Sequence, residues 1–259
     1  MTVLLTAEFR KVLSLRYWWI LGIAPLLVGL FCGALTLPVA RQLELGFGDG
    51  FAEAVAAAVG ISLSLSLVFL FAAIFGAVAT GSEFAHRTIV TTFLTARGRD
   101  RVVGVKFATV AVIGLLYCIV TEVAAAATLV LFGGGFDGAD LGSVAKVMGI
   151  GLFCALMWSL IGAGLGLLTR STTGSVLAIC AWVPFGELMV SVVLHGLGLG
   201  AIASYLPAQV TWYVLFSAVS MPEDVTLEMT WPAAPLLLIL WTVVLGGLGW
   251  WRARTADVV

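Results

Sequence analysis

The sequence predicts an all-α integral membrane protein with six transmembrane helices, and three observations lead to that fold class. Of its 259 residues, 61% are hydrophobic and only 10% are charged, against about 25% charged in an average globular domain. The mean hydropathy of +1.14 excludes a disordered chain, because disorder requires low hydrophobicity and high net charge. Six apolar runs are each long enough to cross a bilayer. Lipid is therefore the solvent for most of this chain.

Each predicted span is long enough to cross a bilayer as a helix. A hydrocarbon core about 30 Å thick needs about 20 apolar residues in a helix that rises about 1.5 Å per residue. Tryptophans stand at several span ends, where the indole ring prefers the membrane interface. The predicted spans are residues 18–38, 59–80, 107–132, 147–169, 174–194 and 233–251.

The distribution of basic residues predicts the orientation. Six spans place both termini on one side of the membrane, and eleven of the thirteen Lys and Arg residues lie on that side. The positive-inside rule makes that side the cytoplasm, so we expect both termini to be cytoplasmic. The eleven residues are Arg10, Lys11, Arg16, Arg87, Arg97, Arg99, Arg101, Lys106, Arg170, Arg252 and Arg254.

Residues 2–17 predict an amphipathic helix ahead of the first span. Leu5, Phe9 and Val12 recur at helical spacing, and polar residues form the opposite row, as in helices that lie in the membrane interface. The apolar run that follows is too long for the core of a cleavable signal peptide, so we interpret it as a retained span. Two roles stay open for the helix, namely a topology-setting anchor or a specific docking element.

The cytoplasmic loop 81–105 is too long for a tight turn and too apolar for a flexible linker. Its pattern predicts a short helix capped by Gly81 or Ser82 that carries Glu83 and Phe84, followed by a basic turn over residues 96–101. The alternative is that its arginines only set the membrane topology. The basic residues of the loop are Arg87, Arg97, Arg99 and Arg101, and Lys106 opens the next span.

This loop carries a resemblance to a known family. Glu83 and Phe84, then Thr88, the stretch 89–94, arginines between 97 and 101, and Lys106 resemble the E-F/Y-x-x-G-T…L…P-x-R…K loop of type-2 ATP-binding-cassette (ABC) exporter permeases. The layout of an amphipathic helix followed by six spans resembles that family over the whole chain.

The resemblance implies the membrane subunit of an ATP-driven exporter in a bacterial cell membrane. Two six-span chains, identical or paralogous, would form the translocation path, and two separate ATPase subunits would use ATP and Mg²⁺. The loop would form a coupling helix seated in a groove of the ATPase. The residues that would transmit force there are Glu83, Phe84, Arg87, Arg97, Arg99 and Arg101.

The segment 195–232 lies between the fifth and sixth spans, on the external side. Its apolar stretch is interrupted by Pro207, which leaves only a short run after the break, and such a run cannot cross a bilayer. We expect two short helices that dip into the outer leaflet, similar to the re-entrant helices of the family. A cap on the membrane surface without a gating role is the alternative.

Two acidic residues, Glu122 and Glu187, lie well within the predicted spans. An ionised carboxylate at the bilayer centre costs about 2.5 to 3.5 kcal/mol, so each must face protein, face water or be protonated. They are therefore candidates for lining a substrate pathway, and the alternative is a hydrogen-bonded glutamate that fixes helix packing.

The small residues at 162–166 allow close helix approach, and we favour packing within one chain over packing between chains.

Several other functions lack the residues that they need. No G-x-x-x-x-G-K-[ST] loop occurs, so we expect ATP to be handled by a partner rather than by this chain. The four cysteines are widely spaced within spans, without metal or redox spacing. The net charge of -1 offers no basic field for nucleic acid. An intramembrane protease would need a nucleophile and a base from two spans, but the two histidines lie in the cytoplasmic loop and at an external span end. The alternative to an exporter is therefore an ATP-independent carrier or channel.

Overall fold

A computed structural model describes residues 2–47, 51–86, 88–95, 98–132, 141–217, 229 and 231–255. The regular elements in these ranges are helical. They are α1 (Thr2–Ser14), α2 (Tyr17–Phe47), α3 (Phe51–Ala85), α4 (Thr88–Thr95), α5 (Arg99–Phe132), α6 (Leu141–Thr169), α7 (Thr172–Ala181), a π-helical turn (Trp182–Gly186), α8 (Glu187–Gly196), α9 (Gly200–Ala203), α10 (Pro207–Phe216) and α11 (Ala233–Thr255).

The predicted all-α membrane fold is confirmed. Six helices in the described ranges are long and apolar enough to cross a membrane by length and composition. They coincide with the six predicted spans, and their apolar segments are Tyr17–Leu35, Leu67–Ala85, Arg99–Thr128, Val144–Thr169, Thr172–Gly196 and Ala233–Thr255.

The bundle is built around α3 and α6, which pack against each other through glycines. A Cβ added to Gly76 on α3 would overlap the Ser159 carbonyl of α6, and one added to Gly162 on α6 would overlap the Ala73 carbonyl of α3. Gly164, on another side of α6, lies against the backbone of α11. Helices in lipid associate through such close backbone contacts. The prediction that the small residues at 162–166 pack spans within one chain is therefore confirmed.

The fifth span is a single apolar helix interrupted by a π-helical turn. Pro184 lies in this turn, and because proline has no amide hydrogen it cannot continue the α-helical bonding pattern. Such turns occur in longer helices, often at functional sites. The turn leads directly into Glu187, the first residue of α8.

The loop 81–105 differs from the prediction in one respect. The short helix expected to begin at Gly81 or Ser82 is wrong, because α3 continues through Glu83 and Phe84 to Ala85. A separate short helix, α4, begins at Thr88, and α5 already begins at Arg99. The physical reason is that Glu83 is buried beside α1, so the last turn of α3 gains tertiary contacts that the periodicity alone does not show.

Two short helices, α9 and α10, occupy the first part of the segment 195–232. Pro207 is the first residue of α10, where its missing amide hydrogen costs nothing. The acidic turn expected at residues 221–224 lies outside the described ranges. That the two helices dip into the outer leaflet stays a prediction.

Several helix ends meet at one end of the bundle, which we call the basic face. It consists of α1, the last turn of α3, α4, the first turns of α5 and α7, and the last turns of α6 and α11.

The first span and the fifth differ from the rest in exposure. Only 17% and 11% of their residues are buried, against 61% for the second and fourth spans.

Candidate coupling surface and buried charge cluster

The short helix α4 presents two different sides on the basic face. Ile89 is buried, with 2% of its surface exposed, whereas Leu94 is 80% exposed. The hydroxyls of Thr91 and Thr92 donate hydrogen bonds to the Thr88 carbonyl at 2.9 and 3.0 Å, so the threonines satisfy their own polar groups locally. The outward side of α4 is therefore a small surface with an apolar projection.

A compact apolar cluster lies beneath α4. Phe93 contributes to it from α4, and the ends of four other helices contribute the remaining side chains. Each of these helices except α4 is also a membrane span, so the cluster connects α4 to four spans. The cluster consists of Phe84, Phe93, Val103, Phe107, Leu167, Trp250 and Ala253.

Arg99 and Asp100 join the first turn of α5 to its neighbours. The Arg99 guanidinium lies 5.5 Å from the ring centroid of Phe93, and its Nη1 donates to the Arg254 carbonyl at 2.9 Å. The Asp100 carboxylate accepts a hydrogen bond from Trp250 Nε1 at 2.9 Å. A cation over an aromatic ring and a cation on the last carbonyls of a helix are both favourable. Arg99 thus connects α4 to the end of α11.

Arg170 makes a second link of the same kind between α6 and α11. It has a positive φ of 55°, which is uncommon for a residue with a side chain. Its guanidinium lies 5.9 Å from the ring centroid of Phe84, and Nη2 donates to the Arg252 carbonyl at 3.2 Å. From the sequence, Arg170 is predicted only as a topology-setting charge, and the backbone conformation that places it is not visible there.

Glu83 faces inward, away from the outer side of α4. Only 4% of its surface is exposed, and its carboxylate pairs with Lys11 of α1 and Lys106 of α5. Lys106 is itself 3% exposed and contacts both carboxylate oxygens of Glu8 at 3.2 and 3.3 Å. Two acids and two bases therefore neutralise each other in a buried cluster that joins α1, α3 and α5.

The buried charge cluster was not predicted from the sequence. Glu8 follows Leu5 by three residues and precedes Val12 by four, so it stands in the apolar row of α1 rather than on its polar side. A carboxylate in an apolar row predicts a buried partner, and Lys106 at the start of the third span is the cation available. Glu8 was the signal that could have revealed the site.

Glu122 lies among side chains of three spans. It is 4% exposed, and Cys118 Sγ donates to its Oε1 at 3.3 Å. A Cβ added to Gly151 on α6 would lie 2.8 Å from that oxygen and 2.6 Å from Leu65 on α3. These contacts are those of a packing residue, and the pathway role of Glu122 stays a prediction.

Glu187 caps the N-terminus of α10 from the fifth span. The Ala208 amide donates to both carboxylate oxygens at 2.9 Å, and the Gln209 amide donates to Oε2 at 3.2 Å. Trp182 Nε1, from the π-helical turn, donates to Oε1 at 3.2 Å. A carboxylate at a helix N-terminus satisfies free amides and interacts favourably with the helix dipole. Glu187 therefore fixes the fifth span to α10, and its proposed pathway role stays a prediction.

Comparison with known proteins identifies a family for this chain. The family model described as ABC-2 family transporter protein matches residues 4–185, which is more than half of the chain. The chain belongs to the ABC-2 transporter family. The search of curated proteins returned no match. The region of this ABC-2 protein that matches the family runs from α1 into the π-helical turn, so it includes the buried charge cluster and α4.

Membership of the ABC-2 family makes this chain a multi-pass membrane permease subunit of an ABC transporter. Its predicted coupling residues occupy three kinds of position. Phe84 and Arg99 lie in or over the cluster beneath α4, Arg101 is exposed, and Glu83 is buried. Arg87 and Arg97 lie outside the described residues. Glu122 and Glu187 are on different spans, and each has the separate contacts given above.

Removing the Glu187 cap is expected to loosen α10 in this ABC-2 permease. Glu187→Ala leaves the amides of Ala208 and Gln209 without their acceptor, and a buried donor without a partner costs about 1 to 3 kcal/mol. Amide hydrogen exchange across 207–216 should therefore become about tenfold faster. Glu187→Gln retains one acceptor oxygen and should have a smaller effect. Equal exchange in the wild type and Glu187→Ala would show that the cap does not hold α10.

Proposed function

We propose that this permease is the membrane subunit of an ATP-driven exporter and that α4 is the element that contacts a separate ATPase. The observation that carries the proposal is the two-sided structure of α4. Its outer side exposes Leu94, and its inner side contacts the ends of several spans through Phe93. A force applied to the outer side has a packed route into the membrane domain.

The charges around α4 support a protein partner on the basic face. Arg101 is exposed, and Arg99 lies over Phe93. Under the positive-inside rule this face is cytoplasmic, which is where ATP is available. Accordingly, two ATPase subunits with ATP and Mg²⁺ act at this face, in a bacterial cell membrane with both chain termini cytoplasmic. None of the coupling residues performs covalent chemistry in this scheme.

A second permease chain completes the proposed transporter. In the first and fifth spans only 17% and 11% of the residues are buried within a single chain, and side chains exposed in a membrane contact either lipid or another subunit. Pairing of two chains, identical or paralogous, would enclose a path between them. The transported substrate is not specified by these surfaces.

The test of the proposed function is the association of the ATPase with an altered α4. Burial of a leucine side chain contributes about 1.5 to 3 kcal/mol, so Leu94→Ser is expected to weaken binding of the ATPase about tenfold or more. The affinity-tagged full chain is expressed in its native host, and the ATPase that copurifies is identified and quantified. ATP-dependent transport should decrease in parallel.

Leu131→Ser is the matched control, because Leu131 is 74% exposed at the far end of α5. It should leave copurification of the ATPase unchanged. If Leu94→Ser and Leu131→Ser retain the same amount of ATPase, α4 is not the contact. If the wild-type chain binds no ATPase and moves substrate without ATP, the ATP-independent carrier replaces the exporter.

A further inference from the structure

A cavity of about 490 Å³ lies between the fourth, fifth and sixth spans and α10. This volume is within the range of ligand pockets in proteins, about 300 to 1,000 Å³. It does not include the buried charge cluster or α4. Its lining residues are Trp158, Ile161 and Leu165 of α6, Ala178, Ile179, Ala181, Trp182, Val183 and Gly186 of the fifth span, Pro207 of α10, and Trp241 and Leu245 of α11.

Three tryptophans form part of the wall, and each has its polar atom engaged elsewhere. Trp158 Nε1 donates to the Thr211 hydroxyl at 2.9 Å, and Trp241 Nε1 donates to the Tyr205 carbonyl at 2.9 Å. Trp182 Nε1 donates to Glu187. The indoles therefore offer the cavity their apolar rings, while their N–H groups bond to Glu187 and to the segment that contains α10.

This chemistry excludes water and polar ligands as the occupant. A buried water needs two to four polar partners, and cavities lined by apolar groups stay dry and bind apolar molecules. An empty space of this size would deprive its walls of dispersion contacts. The occupant that matches the lining is a hydrocarbon group without charge or hydrogen-bonding groups.

The shape of the cavity follows the direction of the spans. On α6 the lining residues run from Trp158 to Leu165, and on the fifth span they run from Ala178 to Gly186. At about 1.5 Å per residue these stretches are about 10 and 12 Å long. Ala178, Ala181 and Trp182 are exposed on the outer surface of the chain, so the cavity is accessible from the side of the bundle. A chain entering from the bilayer would lie parallel to the neighbouring lipid tails.

We propose that this cavity binds one acyl chain of a membrane phospholipid. The chain inserts from the side between the fifth and sixth spans and contacts the rings of Trp158, Trp182 and Trp241. Because these same indoles hold the region of α10 by hydrogen bonds, the acyl chain supports the position of α10 against the spans. The site requires no ATPase and does not depend on the role proposed for α4.

The experiment is photolabelling of the purified full chain in lipid vesicles. The vesicles contain phosphatidylethanolamine and phosphatidylglycerol with a small fraction of phosphatidylcholine that carries a diazirine halfway along one acyl chain. After illumination, the adducts are mapped by peptide mass spectrometry. We expect the stretch 178–186 to carry about fivefold more label than the lipid-exposed positions Val123 and Leu236, because a held chain stays close for longer.

Filling the cavity provides the second arm. Ala178→Phe places a ring in the cavity and should lower labelling of 178–186 about fivefold, whereas Ala127→Phe, at an exposed position of α5, should leave it unchanged. Equal labelling of the cavity and of Val123 in the wild type overturns the proposal, as does labelling that Ala178→Phe leaves intact while the variant remains folded. Efficient disulfide crosslinking between two chains that carry Ala178→Cys would identify a second copy as the occupant and also overturn it.

Discussion

Replacing Lys106 with methionine is expected to lower the apparent melting midpoint of the purified permease by about 6 °C or more. Lys106 pairs with both Glu8 and Glu83, and it is 3% exposed. Removing one partner of a buried ion pair costs about 3 to 5 kcal/mol, because the remaining charge is left uncompensated. In a chain of this length, each kcal/mol lost from the free energy of unfolding lowers the melting midpoint by about 2 to 4 °C. Methionine preserves most of the side-chain volume, so the loss of charge is the main change.

A double variant separates the charge effect from packing. Glu8→Gln in the Lys106→Met background removes the carboxylate that lost its partner, and the ion pair of Glu83 with Lys11 then leaves the cluster neutral. We expect this variant to recover part of the lost midpoint, since residues in one ionic network have coupling energies of about 0.5 to 3 kcal/mol. Additive losses from the two changes would show that the cluster is not an ionic unit.

Lys146→Met is the matched control for the lysine itself. Lys146 is exposed on α6, and substitutions at exposed positions usually change stability by less than about 0.5 kcal/mol. Its melting midpoint should stay within about 2 °C of the wild type. The midpoints are measured by differential scanning fluorimetry at one detergent concentration and one heating rate, because membrane proteins often unfold irreversibly.

The six spans could be predicted because lipid imposes a requirement that is local in the sequence. Each span must satisfy its own backbone hydrogen bonds and be apolar over its length, and the run at 147–169 shows both properties without reference to any other residue. The interruption of the fifth span is different. Pro184 was visible, but a proline can kink, break or widen a helix, and the choice of a π-helical turn depends on neighbours that become known only from the fold.

The candidate site could be predicted only in part, for the same reason. A short helix within the loop was expected, but its position was not, because the prediction began the helix at Gly81 or Ser82 and α4 begins at Thr88. The inward direction of Glu83 was not expected either, because the loop pattern does not show that Lys11 and Lys106 converge on it from other helices. Arg99 was selected for its charge, whereas in the structure it also binds a ring and a carbonyl. Long-range partners decide the role of a charged residue, and they are absent from a local pattern.

Disturbing the contact between α3 and α6 is also expected to lower the melting midpoint strongly. A Cβ at Gly162 would overlap the Ala73 carbonyl oxygen and lie 2.6 Å from the carbonyl carbon. Both atoms belong to backbone that is held in a helix, so neither can rotate away. Overpacking of this kind costs about 1 to 3 kcal/mol and occasionally more. We expect Gly162→Ala to lower the melting midpoint by about 2 to 12 °C.

Gly149→Ala, on the same helix, is the matched control for Gly162→Ala. A Cβ at Gly149 meets nothing within 4 Å, and alanine is favoured over glycine in a helix by about 1 kcal/mol. Gly149→Ala should therefore keep or raise the melting midpoint, whereas Gly162→Ala should lower it, although the chemical change is identical. A midpoint that is unchanged or raised in both variants would mean that α3 and α6 do not approach as closely as the structure shows. A drop only at Gly162 assigns the cost to the steric contact with α3, since the propensity gain is common to both sites.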